Sequence, residues 1–310
     1  MYNALMSQLF GQKSCGAKGG AIYSAAVCIY IVASLVISYI IQGAGLLGDG
    51  AAYLLYLASP IAIAATMALC PKVFNSPLRP ALRLSCKPKY VLIAVLAAFG
   101  LLFCLSYVNN FTVYVLQLLG YTPSGGTIPS LEGWGMLGAL IVVAVIPAVA
   151  EECLFRGAML GNLAGSAGEV KAIFLTGFVF ALFHGSPEQT VYQFICGCIF
   201  ALLAVRSGSI LPPVIAHFLN NGTIIILNGL SLVDGSGNLA APPWASVLIT
   251  VLAALALAGS LVWLILDKNK FKRGETGQVK SFFAWAGVGI AVMALVWLLS
   301  LLQGFGAAAA

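Results

Sequence analysis

The sequence predicts an all-α fold, a polytopic membrane bundle of about nine transmembrane helices. Of its 310 residues, 61% are hydrophobic and only 8% are charged, whereas about a quarter of the residues in an ordinary soluble domain are charged. The mean hydropathy is +1.02, and apolar runs of 18 residues and more recur along the chain. A membrane-crossing helix needs about 20 apolar residues. A soluble enzyme, a disordered tail and a coiled coil are therefore excluded, and a β-barrel is disfavoured because its strands would alternate apolar and polar residues.

Nine apolar runs define the predicted spans. They cover residues 21–41, 51–70, 90–108, 134–160, 170–185, 188–205, 210–228, 244–266 and 281–302. The first run is about as long as a full span and no clear A-x-A site follows it, so we expect a retained helix and not a cleaved signal peptide. Residues 109–120 are apolar but short, and we expect an interfacial or re-entrant piece there. The whole chain, 1–310, is taken as one membrane domain, and the lack of an internal repeat gives no support to an inverted-repeat transporter.

The basic residues support a count of nine spans. With the N-terminus in the cytoplasm, all 15 Lys and Arg residues fall in predicted inner segments, as the positive-inside rule requires. The predicted outer loops carry only Asp49, Glu132, Glu188 and Asp234. We expect an integral protein of a bacterial plasma membrane, surrounded by membrane lipid, with its C-terminus outside. Because topology accounts for the net charge of +6, no nucleic-acid partner is expected.

Two adjacent carboxylates, Glu151 and Glu152, lie inside the fourth predicted span. A lone charge at membrane depth costs at least ~2.5 kcal/mol, so each carboxylate needs a partner. Arg156 lies four residues after Glu152 on the same helical face, so these two can pair, either as a simple interfacial ion pair or as part of a site. Glu151 points about 100° away and lacks such a partner, which makes it the stronger candidate for a general acid or base.

Both histidines of the chain also fall in predicted spans. His184 ends the run 180–184, and His217 lies four residues before Asn221, on the same helical face. Either histidine alone is more simply a satisfied packing residue. Together with the two glutamates, the arginine and the asparagine, however, they supply a base, a second proton carrier and an amide for a developing oxyanion. We expect the six side chains to converge on one wet cavity, where they can satisfy one another.

The position of His184 limits how this convergence can occur. It lies 13 residues after Lys171, roughly 20 Å along a helix, which would bring it close to the outer face. Residues 185–187 then break the helix. We therefore expect this span to be tilted, to start below Lys171, or to end inside the bundle.

The polar residues resemble the motifs of the CPBP intramembrane endopeptidases, which include the type II CAAX prenyl proteases and the bacterial Abi proteins. That family carries E-E-x-x-x-R, F-x-x-x-H and H-x-x-x-N on successive membrane helices. All three motifs are present here in order, at residues 151–156, 180–184 and 217–221. The resemblance covers residues 134–228, which would form a catalytic core of the fourth to seventh helices.

The resemblance implies a role for each matched residue. Glu151 would be the catalytic glutamate that activates water, and His184 would help to hold or activate that water. His217 and Asn221 would stabilise the tetrahedral intermediate, so all four are expected to be catalytic. The two other matched residues, Glu152 and Arg156, would hold the helix and the site in their ordered conformation.

Metal dependence stays open at this stage. The zinc-protease helix motif H-E-x-x-H is absent, and we expect a metal-free glutamate mechanism without a cofactor. The alternative is Zn²⁺ bound by Glu151, His184 and His217, with an open fourth position.

The expected function is cleavage of a peptide or membrane-protein substrate, CAAX-like or a leader peptide, near the cytoplasmic face of the membrane. The alternatives are a non-proteolytic membrane scaffold or immunity protein, which would keep the polar cluster for packing, and a proton-linked transporter, which would also keep Glu and His at depth.

Overall fold

The computed structural model describes residues 16–76, 78, 82–123, 128–234, 238–267 and 277–307. Within these residues the chain forms nine helices and no strand, apart from an isolated bridge between Val233 and Leu239. The helices are α1 (Gly16–Gly43), α2 (Asp49–Val73), α3 (Pro88–Leu118), α4 (residues 134–167), α5 (Glu169–Phe183), α6 (Thr190–Ser207), α7 (Leu211–Gly229), α8 (Pro243–Leu266) and α9 (Gln278–Ala307). Each contains one predicted span or most of it, so the polytopic helical bundle is confirmed.

Seven of these nine described helices are long and apolar enough to cross a membrane, which makes the chain an integral membrane protein. The other two are α5 and α7. Helix α5 has 15 residues and is about 22 Å long at 1.5 Å per residue, less than the hydrocarbon thickness of ~30 Å. Helix α7 is long enough but carries one histidine and three asparagines, which lower its hydropathy. Both helices contribute motif residues.

The piece expected at residues 109–120 is not a separate element. Helix α3 passes through a π-helical turn at Leu101–Leu105 and continues to Leu118. A π turn adds a residue to the helical repeat without breaking the backbone hydrogen bonding. The expectation of an interfacial or re-entrant piece was therefore wrong, because most of this segment prolongs α3 beyond its first apolar run.

Side-chain contacts show how the helix ends are grouped. Lys18, at the start of α1, donates to the carbonyl of Asn75, just after α2 (3.0 Å). Arg206, at the end of α6, pairs with Glu169, at the start of α5 (2.6 Å). Lys89, at the start of α3, pairs with Asp267, just after α8 (2.6 Å). The starts of odd-numbered helices and the ends of even-numbered helices thus meet at one end of the bundle, which we call the basic end.

The other helix ends meet at the opposite end of the bundle. There the backbone N–H of Ser130, before α4, donates to the Asp49 carboxylate at the start of α2 (2.7 Å). Tyr121, after α3, donates to Glu188, before α6 (3.0 Å). The two ends therefore alternate along the chain, as expected for consecutive antiparallel helices.

The two halves of the bundle are packed differently. The larger buried cluster joins the first half of α1, the second half of α2, the last turns of α4 and the helices α5 and α9. A second cluster joins the start of α3 to α6 and to the end of α8. Helix α6 contributes to both clusters and is central. The tight packing is concentrated towards the basic end, and the opposite half is left open.

Candidate active site

A cavity of about 1270 Å³ occupies the open half of the bundle. Glu151, His184 and Asn221 line it, together with Asn220 and Tyr192, which the sequence analysis did not single out. Ligand pockets in proteins commonly measure 300–1,000 Å³, so this cavity is large enough for several residues of an extended peptide.

Glu151 and His184 face each other across this cavity. The distance between Glu151 Oε2 and His184 Nε2 is 4.0 Å, which is longer than a hydrogen bond. Glu151 is 7% exposed, and its Oε2 has no hydrogen-bond partner within the described residues. A buried carboxylate oxygen without a donor is costly, so this atom is placed to take a proton or to bind water.

The backbone fixes which nitrogen of His184 faces the glutamate. Helix α5 ends at Phe183, and the Nδ1–H of His184 donates to the carbonyl oxygen of Phe180, one turn earlier (2.8 Å). In the neutral imidazole this leaves the lone pair on Nε2, directed at Glu151. Of the three arrangements considered for this span, the structure has the helix ending inside the bundle: α5 is short, and His184 lies at its end, followed by Gly185 with a positive φ of 60°.

Glu152 points away from the cavity, into a buried network. Its Oε1 accepts hydrogen bonds from Arg156 Nη1 (2.8 Å) and from His217 Nδ1 (2.9 Å). Arg156 also donates to the carbonyl of Gly197 on α6 (3.1 Å). The predicted pairing of Glu152 with Arg156 is thus present, and the network joins α4, α6 and α7.

Two phenylalanines enclose this network. The guanidinium carbon of Arg156 lies 4.2 Å from the ring centroid of Phe180 and 5.3 Å from that of Phe200. The ring of His217 stacks on Phe200, with centroids 5.3 Å apart. Phe180 therefore has two functions in the F-x-x-x-H run: its carbonyl orients His184 and its ring covers Arg156.

The position of His217 departs from the expectation. His217 was expected to face the reaction site together with Asn221. It is instead 4% exposed, bonded to Glu152 and not among the residues that line the cavity. The six polar side chains therefore divide into a cavity group of Glu151, His184 and Asn221 and a buried group of three. The sequence could not separate them, because the side chain that a glutamate meets depends on how neighbouring helices are rotated.

A chain of hydrogen bonds leads to Asn221. The Tyr192 hydroxyl donates to Asn220 Oδ1 (2.7 Å), and Asn220 Nδ2 lies 3.4 Å from Asn221 Oδ1, which accepts from it. Asn221 Nδ2 has only a long contact to the carbonyl of Val143 (3.5 Å). Its amide donors thus remain available to a group in the cavity. Asn220 directly precedes a motif residue, but only the tertiary structure shows its partner.

Irregular turns in α4 flank the two glutamates. π-helical segments cover Leu140–Val145 and Cys153–Met159, on either side of the regular turns Ile146–Glu152. Pro147 is the second residue of this central piece. Proline lacks an N–H, and its ring clashes with the carbonyl four residues earlier, so a wider turn before it relieves the conflict. π turns often accompany functional sites.

The zinc alternative requires Glu151, His184 and His217 to be grouped around one point, and the described residues have a different arrangement. A zinc site needs its three protein ligands at about 2.0–2.2 Å from one point. His217 turns its Nδ1 to Glu152 instead of joining Glu151 and His184. Among the described residues no three His, Cys, Asp or Glu side chains are grouped to hold a metal ion.

Comparison with known protein families gave a match over part of the chain. Residues 133–223, less than a third of the chain, match the family described as type II CAAX prenyl endopeptidase Rce1-like. No curated protein and no solved structure matched the chain. The matched segment contains all three motifs, both histidines of the chain and the cavity pair Glu151 and His184. Through this region, helices α4 to α7, the chain is similar to the type II CAAX prenyl endopeptidases.

Proposed function

We propose that the chain hydrolyses a peptide bond of a membrane-associated substrate with a water molecule activated by Glu151. One observation carries the proposal. The unpartnered Oε2 of Glu151 faces the lone-pair nitrogen of His184 across 4.0 Å in a cavity of peptide size. One water can lie about 2.8 Å from both atoms and donate a proton to each. Its remaining lone pairs then point into the cavity.

The reaction follows from these positions. Glu151 takes a proton from the water as the water oxygen attacks the carbonyl carbon of the substrate. A C–O bond forms, and the carbonyl oxygen of the tetrahedral intermediate becomes negative. The captured proton then passes to the leaving nitrogen, directly or through His184, and the C–N bond breaks. The products are a carboxylic acid and an amine.

Asn221 is our candidate for stabilising the negative oxygen. Its Oδ1 is held by Asn220, which Tyr192 holds in turn, so its Nδ2 donors are directed elsewhere. A single oxyanion donor of this kind contributes about 10²–10³ in kcat. In this proposal Asn220 and Tyr192 are positioning residues.

The buried group is proposed to position Glu151. Arg156 and His217 both donate to Glu152, the residue next to it. Neutralising Glu152 keeps a second negative charge from raising the free energy of an ionised Glu151. The role of His217 in this proposal is therefore to hold Glu152 and not to touch the substrate.

The test compares variants of the purified chain in proteoliposomes that contain a mixture of apolar peptides of varied sequence, with new peptide ends read by mass spectrometry. We expect the wild-type chain to produce new ends, and Glu151→Gln and His184→Ala to lower the rate by at least about 10². Glu132→Gln, in an exposed loop, is the matched control and keeps the wild-type rate. No cleavage by the wild type, or full cleavage by Glu151→Gln, contradicts the proposal.

The same assay addresses the alternatives. A scaffold or immunity protein would cleave nothing, and its cellular function would survive Glu151→Gln. A proton-linked transporter would take up a solute on a pH gradient.

The mechanism proposed here needs no cofactor, so a strong chelator should leave cleavage unchanged, and metal analysis of the active protein should find no stoichiometric zinc. Loss of cleavage that zinc restores would favour the zinc alternative.

A further inference from the structure

We propose that the cavity opens on the non-cytoplasmic face of the membrane and accepts a neutral, extended polypeptide segment from that side. This inference rests on the proposed function for the reaction, and it replaces the expectation of cleavage near the cytoplasmic face. It depends on where the lining residues lie, where the basic residues lie, and which side chains meet the substrate.

The lining residues all come from the half of the bundle opposite the basic end. Helix α2 contributes residues from its start, at 52–59, and α3 contributes 102–117, towards its end. From α6, only the region around its start, residues 189–193, lines the cavity. From α7, the second half lines it. The lining also includes Asn238, in the loop between α7 and α8. The cavity thus runs from Glu151, at mid-helix, to the loops of the open end.

At the basic end, packed side chains leave no path for a substrate to reach the cavity. Tight packing of α1, α2, α4, α5 and α9 fills that half of the bundle. The buried network of Glu152, Arg156 and His217 lies behind the cavity, away from its lining. A substrate that approached from the basic end would have to pass through this packed core.

The charges assign a side of the membrane to each end. Apart from Arg156, every Lys and Arg in the sequence lies before α1, in a segment that joins helices at the basic end, or within one turn of such a segment. The loop segments at the open end, residues 44–48, 119–133, 184–189 and 230–242, contain no Lys or Arg. The positive-inside rule places the basic end in the cytoplasm. The mouth of the cavity then faces the other compartment.

The lining also indicates the kind of segment that fits. Nine of the residues that line the cavity are Asn or Gln, and none is Lys or Arg. Carboxamides both donate and accept hydrogen bonds, which matches the N–H and C=O groups of an extended backbone. Asn109 Oδ1 is buried without a hydrogen-bond partner in the described chain, ready for a peptide N–H. A carboxylate would find no cation here and would meet the charge of Glu151.

The first test is independent of activity. In a variant without natural cysteines, Asn238→Cys marks the mouth and Lys280→Cys marks the basic end; both positions are exposed. Intact cells that produce the protein are treated with a membrane-impermeant maleimide. We expect Asn238→Cys to be labelled in intact cells and Lys280→Cys only after permeabilisation. The reverse pattern overturns the inference whether or not the chain cleaves peptides.

The second test asks from which side substrate enters. Proteoliposomes sorted by orientation with the Lys280→Cys label alone, which lies outside the cavity lining, receive a water-soluble neutral peptide on the outside only. A matched peptide, in which two residues beside the cleavage site are replaced by Asp, is added in parallel. We expect cleavage only when the Asn238 end faces outwards, and at least about tenfold slower cleavage of the Asp peptide. Cleavage only from the Lys280 end, or equal rates for the two peptides, overturns the inference and leaves the proposed function intact. No cleavage from either side contradicts the proposed function, while the labelling result still decides which face the mouth occupies.

Discussion

Glu151 and Glu152 are neighbours in the sequence, but their carboxylates have opposite surroundings. Glu152 is fully buried and accepts hydrogen bonds from Arg156 and His217. Each carboxylate keeps one oxygen without a hydrogen-bond partner in the described residues, but only Glu151 lines the cavity. A buried ion pair is strongly destabilised when one partner is removed, whereas a catalytic group that lacks partners is free to react with substrate.

Because of this difference, we expect a substitution at Glu152 to reduce mainly the stability of the protein and a substitution at Glu151 to reduce mainly its activity. Glu152→Gln leaves the buried Arg156 without its counter-ion, so we expect it to destabilise the protein by about 3–5 kcal/mol. Glu151→Gln removes a buried charge that has no hydrogen-bond partner on one oxygen, so we expect no loss of stability while cleavage is lost. Thermal unfolding of both variants in the same detergent tests this. Equal losses of stability would show that the two carboxylates are not distinguished as the contacts indicate.

The sequence predicted the pairing of Glu152 with Arg156 because residues four apart on a helix are neighbours. It did not predict that His217 would join this pair, nor that Tyr192 and Asn220 would hold Asn221. Those contacts link residues 65 and 28 positions apart. They depend on the rotation of whole helices about their axes, which no local pattern specifies.

At the scale of the helices, the short α5 and its contact with α6 position His184. The two helices approach closely where Gly177 faces Gly197. Gly197 also presents its carbonyl to Arg156. Small residues that allow such an approach are common between membrane helices. No local sequence pattern identifies this contact, because the partner of each glycine lies on another helix.

Adding one methyl group at this contact should therefore separate the helices. In Gly197→Ala the new Cβ would lie 2.8 Å from the Gly177 backbone, which cannot move without shifting α5. We expect a loss of about 1–3 kcal/mol in stability, typical of overpacking, and slower cleavage because His184 moves with α5. Gly259→Ala on α8 is the matched control, since nothing lies within 4 Å of its added Cβ. The two variants should differ in unfolding temperature and in cleavage rate; matching values would contradict the role of this contact.

At the scale of the molecule, the segment that carries the motifs is not the whole site. Helices α2, α3 and α8 supply much of the cavity wall, and Tyr30 of α1 lines it as well. Trp297 of α9 donates to Thr190, at the start of α6 (2.8 Å). Helices outside the matched segment therefore shape the cavity and support the helices that hold it.

We accordingly predict that residues 128–234 produced alone do not make an active enzyme. Without α2, α3 and α8 the cavity loses its walls, and the faces of α4 to α7 that they cover are exposed. The full chain should elute as a folded species in size-exclusion chromatography in detergent and cleave peptides. The isolated segment should aggregate or remain inactive. Cleavage by the segment at a rate within tenfold of the full chain would show that the outer helices are dispensable.

The sequence by itself determined that the chain is a helical membrane protein, where its helices lie, and which polar residues merit attention. It could do so because apolar length and helical spacing are local properties, and because a charge in lipid is costly wherever the helix is placed. The alternation of the chain between two ends followed from the same spans and from the basic residues.

Only the tertiary structure decided that Glu151 faces His184, that His217 belongs to the buried network of Glu152, and that the cavity opens away from the basic end. Each of these depends on how neighbouring helices are rotated and offset, and on π turns that shift the helical register. Those variables are set by side-chain packing across the whole bundle, so they cannot be read from any single stretch of the sequence.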